Sequence, residues 1–260
     1  MTIDAIPAIN LPNLYVSGLQ LSVTSNTTLT VQAGQSRDST NVFDMDLGNF
    51  LGVDPNFAAN TPTVLTSSVN GLNGLDTGTV APSTVYAVYV LADPVHNNPP
   101  GLIMSLSTSQ PTMPFGYGIF RRIGWAITDV AANFQVIYQV GTGTVRTYQY
   151  AGAISVLSSG NAVVTTSLPL AGLLPNIQTV LSLNITYLAA AGNIGAISFA
   201  GATISTLATA PIAVTSLDGT AANTTQGQIL QIGSPAAITY IVTNGADALS
   251  IDLNGWVDYL

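Results

Sequence analysis

Residues Thr84–Leu91 read Thr-Val-Tyr-Ala-Val-Tyr-Val-Leu, and residues Leu102–Ser107 read Leu-Ile-Met-Ser-Leu-Ser. β-Branched and aromatic side chains of this kind favour a pleated, half-buried surface. The intervening segment Asp93–Gly101 contains three prolines, which remove backbone donors and fix φ, so it cannot continue a strand. The stretch therefore predicts a strand, a loop and a second strand.

Short apolar or alternating runs between turn signals recur over most of the chain, a pattern typical of sandwiches and barrels. Among the predicted strands are Leu14–Val23, Val145–Tyr150, Ala153–Leu157, Ala248–Leu253 and Gly255–Tyr259. We expect an all-β fold of antiparallel β-sandwich or jelly-roll-like domains with very little helix. Beyond Tyr150 arginine disappears and aromatic residues become rarer. Residues 1–150 are therefore predicted to form one β domain and residues 151–260 a jelly-roll-like sandwich.

The charge content is low for a soluble protein. Twelve acids, all aspartates, and four bases, all arginines, make up 6% of the 260 residues, against about 25% in an ordinary domain. Lysine and glutamate, which favour exposed helix faces, are absent. A monomer of this size exposes roughly 11,000 Å², or one charge per roughly 700 Å². We expect uncharged polar side chains and neighbouring subunits to cover this surface together.

Several classes of function are disfavoured by composition. The net charge of −8 argues against nucleic acid, because phosphate neutralisation needs clustered basic residues. The absence of cysteine excludes a disulfide framework and a thiolate metal site. The uncharged segment Ile185–Ile204 has the length of a membrane span, but its Asn193, its glycines and its strand-like flanks argue against one. No membrane association is expected.

The most specific pattern lies between Gly71 and Asp129. It contains Gly-Leu-Asp-Thr-Gly at 74–78, the Tyr-rich strand at 84–91, Ser-Leu-Ser at 105–107, a Pro and Gly-Tyr turn at 111–117, and Arg-Arg-Ile-Gly at 121–124. Upstream stands Gly-Gln-Ser-Arg-Asp-Ser at 34–39. This order resembles a module of tail-fibre and other virion-surface proteins of tailed bacteriophages. The resemblance covers roughly the first 150 residues, with Val85 standing where a larger aromatic is expected.

The resemblance implies a non-enzymatic structural protein of the virion, assembled in the cytoplasm of the bacterial host. We expect a capsid-decorating subunit, either a cement protein or a head fibre, that acts as a homotrimer without a cofactor. Its other partners would be virion proteins such as the major capsid protein or tail proteins. The alternative is a receptor-binding tail-fibre or baseplate protein that recognises host surface glycans. A glycan hydrolase and an S-layer-type coat protein are further rivals.

Arg121 and Arg122 are the first candidate site residues. Adjacent strand residues face opposite sides, so one of the two is expected to be buried. A buried guanidinium without a partner would cost several kcal/mol. An ion pair with Asp76 or Asp129 is therefore predicted, as a structural clasp and not as a catalytic pair.

Other candidates carry weaker signals. His96 is the single histidine, so no histidine-based triad or multi-histidine metal site can form. Asp44 and Asp46 share a strand face and could offer oxygens to Ca²⁺, but the spacing of a calcium loop is absent, and no metal is predicted. Tyr117, Phe120 and Trp125 form either a receptor or partner surface or part of the core; these alternatives stay open.

Overall fold

The computed structural model describes residues 11–49, 58–95, 97–141, 143–190, 192–199, 210–215, 223–232 and 236–260. These residues form nineteen strands and no helix. Most strand pairs are antiparallel, and one short pair is parallel. The prediction of an all-β fold is confirmed.

The chain divides into two compact units. Unit 1 comprises residues 1–147 together with Tyr259 and Leu260, and unit 2 comprises Tyr148–Asp258. The division falls three residues before the predicted boundary at Tyr150, and the last two residues belong to unit 1. Unit 2 is therefore an insertion between two segments of unit 1.

Eleven strands lie wholly in unit 1. They are β1 (Val16–Gly18), β2 (Leu21–Ser25), β3 (Thr28–Val31), β4 (Gly34–Arg37), β5 (Asp44–Leu47), β6 (Thr63–Thr66), β7 (Gly74–Leu75), β8 (Val85–Ala92), β9 (Gly101–Ser105), β10 (Ile119–Ile127) and β11 (Ile137–Val140). Ten of them build three small sheets with the orders β1-β4-β5, β2-β3-β6 and β10-β8-β9-β7, and β11 pairs with the strand that follows it in the chain. The pattern that predicted strand, loop and strand corresponds to β8, the proline loop and β9.

Strand β8 lies at the centre of unit 1. Seven of its eight residues are buried, since β10 and β9 flank its two edges and both of its faces are covered. Side chains from all three sheets meet in one apolar cluster, which includes Leu19, Leu47, Tyr86 and Met104. Burying a large apolar side chain contributes about 1.5–3 kcal/mol, so this cluster is the main source of stability in unit 1.

The remaining strands build unit 2. They are β12 (Val145–Gly160), which begins in unit 1, and β13 (Thr166–Pro169), β14 (Thr179–Leu188), β15 (Ile194–Phe199), β16 (Ile212–Thr215), β17 (Asn223–Ile232), β18 (Ala237–Val242) and β19 (Ala248–Tyr259). One sheet has the order β11-β12-β19-β14-β17, in which β11 is a strand of unit 1, and the other has the order β13-β18-β15-β16.

The two sheets of unit 2 pack face to face. A Cβ atom placed on Gly195 of β15 would meet Leu249 of β19 and Tyr187 of β14, each at 3.2 Å. Along β14, buried residues alternate with half-buried or exposed ones, as expected for a strand that has one covered face. The opposite face of β14 and β19 carries small polar groups, and Asn184 and Asn254 exchange two amide hydrogen bonds there. Jelly-roll connectivity remains a prediction.

Some predicted strand boundaries differ from the structure. The predicted strand Leu14–Val23 is split into β1 and β2, because Gly18 and Leu19 both take positive φ angles between them. Conversely, the four strands predicted within residues 145–157 and 248–259 merge into the two long strands β12 and β19. Their internal glycines do not interrupt them, since neighbouring strands supply the pairing that the local sequence lacks.

A close approach of two strands makes Gly255 sensitive to substitution. A Cβ atom at this position would lie 1.9 Å from the carbonyl oxygen of Tyr148, so Gly255→Ala forces the strands apart. We expect Gly255→Ala to lower the free energy of unfolding by about 1–3 kcal/mol. The control is Gly152→Ala on β12, where a Cβ meets no atom within 4 Å. Urea unfolding measures both, and equal stabilities would contradict the packing described.

Candidate functional site

Charged side chains are withdrawn from the surface throughout the described part of the chain. Nine of the twelve aspartates and all four arginines are described, and each is buried or half-buried. The other acids, Asp4, Asp54 and Asp218, lie outside the described residues. Charged residues are normally the most exposed class in a soluble protein. The charges of this chain therefore serve mainly to organise its interior.

Asp38 shows how a carboxylate is used. It is buried after β4, and its Oδ1 accepts the backbone N–H groups of Val42 and Phe43 at 2.7 and 2.8 Å. Its Oδ2 accepts the N–H and the hydroxyl of Thr40. Burial opposes ionisation, but these hydrogen bonds together outweigh it and hold the pKa of Asp38 below its ordinary value. The carboxylate thus fixes the turn between β4 and β5.

Asp93 anchors the proline loop in the same way. Its carboxylate accepts the backbone N–H groups of Val95, Asn97 and Asn98 at 2.9–3.1 Å, and the side-chain amide of Asn98 at 2.8 Å. These hydrogen bonds, led by that from Val95, lower the pKa of Asp93. His96 lies inside this loop but outside the described residues.

Asp129 anchors the turn that follows β10. It accepts the backbone N–H groups of Asn133 at 2.9 Å and Ala131 at 2.8 Å. Hydrogen bonds led by that from Asn133 lower the pKa of Asp129. A short aspartate side chain reaches backbone N–H groups a few residues along the chain. This local use accounts for the choice of aspartate over glutamate at these turns.

Unit 2 contains a further buried carboxylate. Asp247 is 4% exposed and accepts hydrogen bonds from the Tyr187 hydroxyl at 2.6 Å, the Asn193 side chain at 3.0 Å and the backbone N–H of Asn244 at 3.1 Å. Burial, and then Asp247 itself, raises the pKa of Tyr187. The carboxylate joins two segments that are distant in sequence, residues 187–193 and 244–247, so its role is structural.

The two adjacent arginines bind backbone carbonyls. Arg121 is buried and donates from Nη2 to the carbonyl oxygen of Leu260 at 3.1 Å. Arg122 is half-buried and donates from Nη2 to the carbonyl oxygen of Tyr259 at 3.2 Å. The pKa of Arg121 is lowered, first by burial and then by the neighbouring Arg122, while the charge of Asp38 acts in the opposite direction. The pair holds the segment with which the chain returns to unit 1.

The predicted ion pair of these arginines with Asp76 or Asp129 is not formed. Asp76 instead accepts the hydroxyl of Ser105 at 2.6 Å and the backbone N–H of Thr112 at 3.0 Å. Among the described residues, neither Asp76 nor Asp129 forms an ion pair. The error has a physical cause. The backbone carbonyls that accept hydrogen bonds from the two arginines lie 137 and 139 residues away, and no local sequence pattern predicts contacts over such separations.

A bulge in β10 places Arg122 against Trp125. Arg122 lies opposite Tyr89 of β8, and Trp125 lies opposite Ala87, two residues along β8. The three-residue step in β10 matches this two-residue step because Ile123 has no opposite residue. The two side chains therefore share a face, and the guanidinium carbon lies 4.5 Å from the Trp125 ring centroid. This is a cation–π contact.

Sequence reasoning missed two buried polar side chains of unit 1. Arg146 is 1% exposed and donates to the carbonyl oxygens of Gly141 and Gly18 at 2.9 and 2.8 Å. The Gln139 side chain accepts the N–H of Leu21 at 2.7 Å and donates to a second backbone carbonyl. Both side chains alternate inward along β11 and β12, which sequence periodicity alone could have indicated.

The acid pair considered for a cation has other partners. Asp44 forms an ion pair with Arg37 at 2.7 Å. Asp46 is buried at 7% exposure and lies opposite Gln35 in the sheet. In the described part of the chain, no group of three or more histidine, cysteine or acidic side chains could hold a metal ion.

The aromatic residues considered for a receptor surface do not form one platform. Trp125 is 4% exposed, so of the two alternatives the core applies to this residue. Phe120 is half-buried and packs edge-on against Tyr89 with ring centroids 5.8 Å apart. Tyr117 is half-buried and donates its hydroxyl to the carbonyl of Pro99. Phe115 is fully exposed, and no sequence pattern singled it out.

Comparison with known proteins identifies no family. No family model matches the chain, and no curated protein matches it. Among solved structures, it is similar to the crystal structure of a Bacillus thuringiensis Cry1Da tryptic core variant, at 10% identity and a TM-score of 0.23. That match covers 93% of this chain and 50% of the other, so this chain spans half of its length. So low a TM-score supports no conclusion on function.

The described residues include no helix of the length and apolarity needed to cross a bilayer. The segment that had the length of a span contributes instead to β14 and β15.

The carboxylate anchors predict an acid-sensitive fold. Because Asp38, Asp93 and Asp129 have folded pKa values below the ordinary 3.8, they contribute stability above that pH. This stability is lost as the pH falls through the folded values. Urea unfolding between about pH 5 and pH 2 should show a falling unfolding free energy. Asp38→Asn should flatten this dependence; an unchanged slope would contradict the assignment for Asp38.

Removing a single anchor should also be measurable at neutral pH. Asp38→Ala leaves the N–H groups of Thr40, Val42 and Phe43 without their acceptor, so we expect a loss of about 1–3 kcal/mol in unfolding free energy. The control is Asp252→Ala on the outer face of β19, with an expected change within about 0.5 kcal/mol. A similar loss for both variants would show that Asp38 is no anchor.

Proposed function

We propose that the protein is a non-enzymatic structural subunit of a tailed-bacteriophage particle, a capsid-decorating cement or head-fibre protein that acts as a homo-oligomer. One observation carries the proposal: every described charged side chain is buried or half-buried. Free soluble monomers keep charges on their surface. A surface built from uncharged polar and apolar groups suits permanent cover by neighbouring subunits.

Exposed apolar side chains support the same proposal. In unit 1 the outward positions of the β11 hairpin are apolar, with Val136, Tyr138, Val140 and Val145 each between 45% and 59% exposed. Alternation in a sheet usually places polar groups on the solvent face. Residues 34–129 resemble modules of virion-surface proteins, and this resemblance is the reason to propose the virion as the location of the protein. It is also the reason to propose the major capsid protein or tail proteins as further partners.

The acids and bases in the described part of the chain offer no catalytic arrangement that competes with this role. The described carboxylates that lie in turns accept hydrogen bonds from backbone N–H groups, as Asp38, Asp93 and Asp129 do. A glycoside hydrolase needs two carboxylates facing a shared open groove. Since these carboxylates already bind their own turns, the proposal assigns the chain no catalytic role.

Sedimentation and particle binding test the proposal together. The purified chain should sediment as a homo-oligomer at micromolar concentration, and it should bind phage heads that lack their decoration protein. Heads that already carry the protein are the control. A stable monomer that binds neither heads nor tails would overturn the proposal.

Phe115 favours the receptor-binding alternative. It stands fully exposed at the tip of the turn before β10, beside Tyr117, and a lone exposed aromatic at a loop tip is a typical anchor for a partner. If the chain recognises host glycans, Phe115→Ala should lower the binding of labelled protein to host cells at least tenfold. Val130→Ala, at an exposed apolar position in another turn, is the control. No binding by the parent protein would exclude this alternative.

A further inference from the structure

Strand β12 has an open edge over its second half. Strand β19 lies along one side of it, and β11 lies along the other. β11 has only four residues and belongs to unit 1, so it can flank only the beginning of β12. Among the described residues, no strand accompanies that side from Ala151 onward. Residues Ala151–Ser159 are accordingly all exposed or half-buried.

This edge lacks the features that keep natural edges apart. An edge strand presents unpaired backbone N–H and C=O groups, and lysine, proline or an inward charge usually protects it from pairing. Residues 151–159 read Ala-Gly-Ala-Ile-Ser-Val-Leu-Ser-Ser, without a charge or a proline. The unpaired backbone groups of this edge can form hydrogen bonds with another strand, and its uncharged side chains allow that strand to approach.

Charge indicates which strand fits. The chain carries a net charge of −8, so two copies repel each other except where their surfaces are neutral. Residues 147–217 contain no aspartate, glutamate, lysine, arginine or histidine, and the open edge lies inside this run. A second copy of the chain offers the same neutral edge.

We propose that two copies pair antiparallel through residues 151–159 of β12, with Ser155 on the two-fold axis. In this register Ile154 lies opposite Val156 of the second copy, and such β-branched cross-strand pairs are favourable. The small Ala153 lies opposite the large Leu157. No like charges meet, and the sheet of unit 2 continues from one copy into the next.

This pairing rests on the proposed function as a homo-oligomer, and it specifies the contact between the subunits. Nine residues span about 30 Å of strand, which is small for a stable interface. Association in solution should therefore depend on concentration in the micromolar range. Subunits held close together on a particle would pair more completely, because their effective concentration is higher. The two-fold contact also predicts even-numbered species in place of the trimer expected from sequence.

Single cysteines test the axis directly, because the chain has none of its own. Opposite residues on antiparallel strands lie about 4.5–5.5 Å apart between Cα atoms, within the range of a disulfide. Ser155→Cys should therefore cross-link to its own copy under mild oxidation. Ser158→Cys is an equally exposed control on the same edge, but it would lie about 20 Å from its copy. It should cross-link at least tenfold less.

A charge on the axis gives a second measurement. Ser155→Lys places two like charges opposite each other and should weaken self-association at least tenfold in sedimentation. Ser182→Lys on the outer face of β14 is the control, and thermal unfolding shows whether both variants fold. Equal cross-linking of Ser155→Cys and Ser158→Cys, in an oligomer that Ser155→Lys leaves intact, would overturn the pairing and leave the proposed function standing. A monomer at all concentrations would overturn the pairing, and a monomer that also binds neither heads nor tails would overturn both.

Discussion

The hydrogen bond between an aspartate carboxylate and backbone N–H groups is the interaction on which the connections of this fold depend. An all-β chain consists of short strands joined by turns, and each turn leaves backbone donors outside the sheets. Asp38, Asp93 and Asp129 collect these donors at three turns of unit 1. A charged acceptor makes such bonds about twice as strong as neutral ones. A few acids thus fix the loops that position β5, β9 and β11.

Because the charged side chains are used in the interior of the protein, few of them remain on its surface. The arginines follow the same rule, since Arg121, Arg122 and Arg146 all donate to backbone carbonyls. Chain segments distant in sequence are joined by these contacts, including the two parts of unit 1 that the insertion of unit 2 separates. The exterior is then left to serine, threonine, asparagine and apolar groups. That exterior dissolves less readily than a charged one and accepts neighbours more readily.

The local sequence pattern predicts the fold class correctly, but it does not predict contacts between residues that are distant in the chain. Alternation and turn residues predict a strand such as β8, because its backbone preference and its burial agree. The bulge at Ile123 escaped prediction, since only the pairing with β8 shows that one residue is extra. The partners of Arg121 escaped for the same reason. Trp125 is buried because both faces of β10 are covered from Ile123 to Ile127, and the local sequence pattern does not reveal this cover.

Low surface charge and an open edge would together threaten uncontrolled aggregation. Two properties of this chain oppose uncontrolled association at the open edge of β12. The net charge of −8 still repels copies beyond contact distance, because half-buried charges act over the Debye length of about 10 Å. The proposed antiparallel pairing about Ser155 would use the same edge on both copies and cover it, so no further copy could add at that edge.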